Sequence, residues 1–94
     1  MPRISINGKR WSIKLASQEV MQKSYLDGHG KSAGFQLAGL CDYTNCQILV
    51  DQSLNADERK AALRHELIHL YMPTLTERQV LRLESLITLA GRIV

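Results

Sequence analysis

Residues 55–71 read NADERKAALRHELIHLY, and this stretch decides both the fold class and the chemistry. Asn55 is a strong helix N-cap, and Glu58 stands three residues later as its capping-box partner. Pro73 then lacks the N–H that a helix needs, and it biases the residue before it away from helical dihedrals. The expected helix therefore runs from Ala56 to Tyr71. Each residue advances about 100° around the axis, so His65 and His69 lie about 40° apart, one turn along the same face. On that wheel Leu63, Leu67 and Leu70 fall between about 140° and 200°, forming the face for a core. Ala61 and Ala62 flank the histidine face with small side chains.

The pentapeptide His65-Glu-Leu-Ile-His69 is an H-E-x-x-H. Two imidazoles one helical turn apart can close on one tetrahedral ion, for which zinc (Zn2+) is the expectation. Glu66, about 60° round from His69, flanks that ion, where its carboxylate can accept a proton from bound water. Alone the pentapeptide is a weak signal; the cap, the helix and the uncharged flanks from Leu67 to Tyr71 strengthen it. Glu58 shares the histidine face but lies seven residues from His65, about 10 Å along the axis, too far for the same ion.

A catalytic zinc takes three protein ligands and a water. Downstream, Thr76 caps a second helix with Glu77 in its first turn. A tight turn over 72–75 makes the two helices antiparallel, placing Glu77 beside His69 and Glu84 two turns further on along the same stripe. Glu77 is the preferred third ligand and Glu84 the alternative. Ordinary roles compete for both: Glu77 suits a helix N-terminus, and Glu84 suits a solvated surface. His29, within the glycine-rich 27–34 stretch, is expected to be a surface residue.

Outward from the helices, residues 3–6 and 9–15 alternate around Asn7-Gly8, a type I′ hairpin signal. Trp11, Ile13 and Leu15 share one face. Residues 17–26 suit a short helix capped by Ser17. Residues 27–34, DGHGKSAG, read as a flexible loop. Phe35–Leu40 and Cys46–Asp51 read as strands flanking a turn at Asp42–Asn45. Strands followed by a helix pair predict an α+β fold: an N-terminal hairpin and a small antiparallel or mixed sheet packed on the active helix, with a C-terminal helix after it.

The chain has 94 residues and a formal charge of +3. That length suits one domain, 1–94, whose small core a metal would staple. The basic residues are dispersed, without the clustering and interleaved aromatics of a nucleic-acid surface. No apolar run reaches membrane-span length, and no signal-like h-region follows the N-terminus, so the expectation is a cytoplasmic chain without a membrane partner. Cys41 and Cys46 are the only cysteines. They read as reduced, structural thiols that could face each other across a hairpin.

The stretch from Gly39 to Leu83 resembles the small zinc-peptidase domains encoded in phages and prophages, loosely akin to the ImmA/IrrE-type peptidases. The resemblance rests on G-L-C-D-Y (Gly39–Tyr43), I-L-V-D (Ile48–Asp51), H-E-L-I-H, Pro73, L-T-E (Leu75–Glu77) and V-x-R-L (Val80–Leu83). The extended zincin pattern usually has Val or Thr where this chain has Ala62. The resemblance implies a minimal gluzincin-like metallopeptidase in a bacterial host, with His65, His69 and Glu77 as ligands and Glu66 as general base. Its substrate would be a peptide or protein. From the residues themselves, Tyr43 at a hairpin tip is a candidate oxyanion donor, with ordinary packing and a wet hydroxyl as the competing role, and the 46–51 strand is the candidate edge on which substrate lies, with a core strand as the alternative. Two other classes compete: a zinc-stabilised interaction module without peptidase activity, and a nucleic-acid-binding module. Substrate identity and oligomeric state are left open by the sequence.

Overall fold

A computed structural model describes residues 3–93, with side-chain placement through Ile87; Met1, Pro2 and Val94 of the expected 1–94 domain lie outside the described residues. The architecture is α+β. β1 (Arg3–Ile6) and β2 (Lys9–Ala16) form the N-terminal hairpin. α1 (Gln18–His29), β3 (Gly39–Asp42) and β4 (Gln47–Asp51) follow, then α2 (Ala56–Tyr71) and α3 (Glu77–Ile93). The sheet is mixed, in the order β1-β2-β4-β3. The β1–β2 and β3–β4 pairs are antiparallel, and β2–β4 is parallel.

The hairpin turns at Asn7 (φ 52°) and Gly8 (φ 79°), the two positive dihedrals that a type I′ turn requires. Alternation then sends side chains to opposite faces of the sheet. Ile6, Trp11, Ile48 and Val50 pack with Ala62 and Leu70 of α2. On the other face Ala16, Leu40 and Leu49 pack with Met21 of α1 and with Leu37. β4 is thus covered on both sides, which explains its unbroken Ile-Leu-Val run. Trp11 is buried, and Ile13 packs partly against the same core, but Leu15, at the end of their face, is exposed.

Two expectations are corrected. α1 does not stop at Leu26 but continues through Gly28 to His29, ending where Gly30 takes φ 75° and donates its N–H to the Leu26 carbonyl. The first three residues of the 27–34 stretch are therefore helical. The chain after it is tied down by side chains of α1: Gln18 Oε1 accepts from the Leu37 N–H at 3.1 Å, and Gln22 donates to the Phe35 carbonyl at 2.9 Å. These anchors hold 35–38 in an irregular path, so the strand expected at 35–40 begins only at Gly39.

Asp51 closes this corner. It is buried at the end of β4 and accepts from the Ser53 N–H and hydroxyl, both at 2.9 Å, and from Gln18 at 2.9 Å. The Ser53 N–H above all, with the Ser53, Gln18 and Gln36 side chains, holds its carboxyl below the usual range against the opposing effect of burial.

α2 has the boundaries that its caps predict. Asn55 accepts from the Glu58 N–H, and Glu58 accepts from the Asn55 N–H, both at 2.9 Å. Met72, before Pro73, has left the helical region at φ −129° and ψ 68°. Thr76 and Gln79 form a second reciprocal cap that opens α3, at 2.8 and 3.2 Å. A short link therefore returns α3 along α2, and Val80 is fully buried.

Candidate metal centre

α2 sets His65, Glu66 and His69, and α3 brings two carboxylates to them. The Nε2 atoms of His65 and His69 lie 3.1 Å apart. Glu77 spans both: one oxygen is 2.7 Å from His65 Nε2 and the other 2.9 Å from His69 Nε2. One donor atom from each of His65, His69 and Glu77 falls within 4.8 Å of the others, the only such group of three or more found among the described residues.

Glu84 takes a different place. Its Oε2 lies 2.5 Å from His65 Nδ1, on the other side of the imidazole from Glu77. Of the two carboxylates weighed as third ligand, Glu77 joins the converging donors, and Glu84 fixes the ring that presents one of them. A carboxylate on Nδ1 selects the tautomer with the proton there and leaves the Nε2 lone pair for a cation.

The donor set suits a bound cation. With its proton on Nδ1, His65 turns an Nε2 lone pair toward Glu77 at 2.7 Å, so two acceptors face each other. Such a contact calls for a cation between them, either a second proton on the ring or a metal ion. Burial acts to lower the His65 pKa, but the Glu84 hydrogen bond and the charges of Glu77, Glu84 and Glu66 outweigh it, and the net shift is upward. Two imidazoles and one carboxylate are donors that suit zinc.

Glu66 turns toward the sheet. Its Oε1 accepts from the Cys41 thiol at 3.5 Å, and its backbone carbonyl lies 3.6 Å from the same sulfur. Burial, chiefly, lifts the Glu66 carboxyl above its usual range, against the opposing pull of His65, Cys41 and His69. Cys41 is raised well above the normal thiol range by burial and then by the Glu66 charge, so it remains a protonated donor.

These residues line one open cleft of about 930 Å3. His65, Glu66, His69, Glu77 and Glu84 hold one part of it, and it extends past Gly39 and Leu37 to Tyr25, His29 and Phe35. His29 lines the cleft but stacks on Tyr25, with ring centroids 3.9 Å apart, and is outside the donor cluster. Tyr43 also lines the cleft, its ring edge-on to Trp11 at 5.4 Å. Burial, then Cys41 and Glu66, raises its pKa, so its hydroxyl stays a donor. Tyr71 is exposed and is not among the lining residues. Glu58 lines the cleft while its carboxylate serves the α2 cap.

Two sequence expectations about the sheet fail. The 46–51 strand is not an edge: β4 lies between β2 and β3, and the outer strand beside α2 is β3. The parallel β2–β4 pairing, which local patterning does not reveal, places it inside. Nor do Cys41 and Cys46 face each other. Cys41 pairs with Ile48, while Cys46 sits in the turn at φ 50°, and both are free thiols. Sequence reasoning also missed the contact of Cys41 with Glu66; the i, i+2 spacing of Gly39 and Cys41 was its only trace. No helix among the described residues is long and apolar enough to cross a membrane.

No family model matches the chain, and no curated protein or solved structure matches it.

Proposed function

We propose that this chain is a zinc-dependent metallopeptidase of the zincin type, with His65, His69 and Glu77 as metal ligands and Glu66 as general base. The observation that carries the reading is the convergence of both imidazole Nε2 atoms on the Glu77 carboxylate, with Glu66 lining the same cleft. Three donors leave a coordination position open, whereas a closed structural site would use four. That feature favours an enzyme over a zinc-stabilised interaction module.

A bound zinc ion supplies a water of lowered pKa and polarises the substrate carbonyl. The residues do the rest. Glu66 accepts the proton as the water oxygen bonds to the carbonyl carbon, then delivers it to the amine nitrogen as the C–N bond breaks. Its burial makes it a stronger proton acceptor than a solvated carboxylate. Glu84 holds the His65 ring in orientation. Tyr43, which lines the cleft and retains its proton, would donate to the developing oxyanion. An extended peptide would add to the outer strand β3 rather than to the enclosed β4.

The proposed setting is the cytoplasm of a bacterial host, following the resemblance to phage and prophage domains. The test is hydrolysis of a labelled protein by zinc-loaded chain, beside Glu66→Gln. Cleavage by the first and none by the second, at equal zinc content, is the expected result; equal cleavage by both removes Glu66 as the base.

A further inference from the structure

The outer strand β3 does more than border the cleft. Its residues alternate, and Gly39 and Cys41 pair with Val50 and Ile48, two residues of the core under α2. Both therefore face α2, and both meet Glu66. A Cβ placed on Gly39 would lie 3.0 Å from Glu66 Cγ, 3.3 Å from Oε2 and 3.5 Å from the Ala62 carbonyl oxygen. The first two distances are tighter than ordinary contact, so the Glu66 side chain would have to give by a few tenths of an ångström, whereas the third is ordinary van der Waals contact. Two residues along, the Cys41 thiol donates to Oε1. Cys41 thus engages one oxygen of the carboxylate, and the other lies over the space that a side chain at Gly39 would fill.

We infer that Gly39 and Cys41 are the positioning residues of Glu66: Gly39 admits its side chain and Cys41 holds Oε1, which leaves Oε2 as the proton-accepting oxygen. This rests on the peptidase reading for its catalytic meaning, but the seat itself is a contact that can be measured without turnover. The thiol acts by donation alone and undergoes no reaction. The assignment also gives a reason for the G-L-C order of β3. A larger residue at 39 would push the base from its place, and an apolar residue at 41 would leave Oε1 without its partner.

The experiment has two arms. The first maps iodoacetamide alkylation of Cys41 by mass spectrometry at fixed alkaline pH, in wild type and Glu66→Gln, with Cys46 as internal reference. Removing the adjacent charge lowers the Cys41 pKa, and a shift of about one unit raises its alkylation rate roughly tenfold. An unchanged Cys41 rate overturns the seat. The second arm follows labelled casein with Gly39→Ala, Cys41→Ala and Cys41→Ser, each assayed for bound zinc. Gly39→Ala should lower kcat about tenfold, as expected for a catalytic group displaced by a few tenths of an ångström. Cys41→Ala should lower it roughly tenfold, as for loss of a hydrogen bond to a charged group. Cys41→Ser, whose hydroxyl still donates, should recover most of that loss, with KM and zinc content unchanged throughout. Wild-type turnover in both Gly39→Ala and Cys41→Ala overturns the inference. If the wild type cleaves nothing while alkylation responds to Glu66→Gln, the peptidase reading falls and the seat stands.

Discussion

The Nδ1 atom of His65 lies 2.5 Å from Glu84 Oε2, so α3 reaches the imidazole from the side opposite Glu77. One helix thereby contributes the carboxylate that spans both imidazoles and, seven residues later, the carboxylate that fixes one of them. If Glu84 acts through His65, its loss should weaken zinc without abolishing it. Glu84→Ala is expected to cost 10–100-fold in affinity, the usual range for a partner behind a ligating histidine. A competitive chelator titration reads this directly, and an affinity equal to wild type would remove Glu84 from that role.

Glu66 carries a cost to the metal-free fold. Its carboxyl holds a proton more tightly when folded than when unfolded, because burial disfavours the charge. Above the unfolded value of about 4.3, ionising it in the fold is therefore unfavourable, and the penalty grows as pH rises toward the folded pKa. Metal-free Glu66→Gln should be more stable to urea than metal-free wild type at pH 7, and the gap should close as the pH is taken down to about 4. Equal midpoints at neutral pH would contradict this account of the carboxyl's surroundings.

Asp51 behaves in the opposite sense. Its folded pKa is depressed, chiefly by the Ser53 N–H, so its stabilisation is present above the unfolded value of about 3.9 and is lost as pH falls through the folded one. Asp51→Asn should destabilise the fold at neutral pH and lose less stability than wild type on acidification below about pH 4. Urea midpoints at several pH values measure both effects. Parallel pH profiles for the two proteins would show that the Ser53 and Gln18 bonds contribute nothing to linkage.

The α2 cap gives a conventional stability prediction. Asn55→Ala removes the acceptor for the Glu58 N–H, while the bond from the residue-55 backbone N–H to the Glu58 carboxylate remains, at a cost of about 1 kcal/mol. Urea unfolding of the metal-free protein measures it, and a change near zero would mean that the box is solvated in solution.

How much of this was legible in the sequence divides by range. α2 could be read to its ends because Asn55, Glu58 and Pro73 act locally, and the Asn7-Gly8 turn likewise specifies its own hairpin. The convergence of Glu77 with His65 and His69 followed from the short link over 72–75, since so few residues leave α3 little choice but to return along α2. Non-local features were not legible. The parallel pairing of β2 with β4 joins segments far apart in the chain, with α1 and α2 covering the two faces, so the enclosed place of β4 could not be read from its own residues. The end of α1 was misplaced because Gly28 reads as a breaker, whereas Gly30 is the residue at positive φ. Likewise the Cys41–Glu66 contact joins residues 25 apart, through a strand whose start had been placed four residues early.

The most direct test of the central claim is the zinc content of untagged protein after reconstitution and removal of excess metal, measured by mass spectrometry beside Glu77→Ala. The proposed site predicts about one zinc per chain in the wild type, strongly reduced in Glu77→Ala. No bound zinc in the wild type, or full occupancy after loss of Glu77, would contradict it.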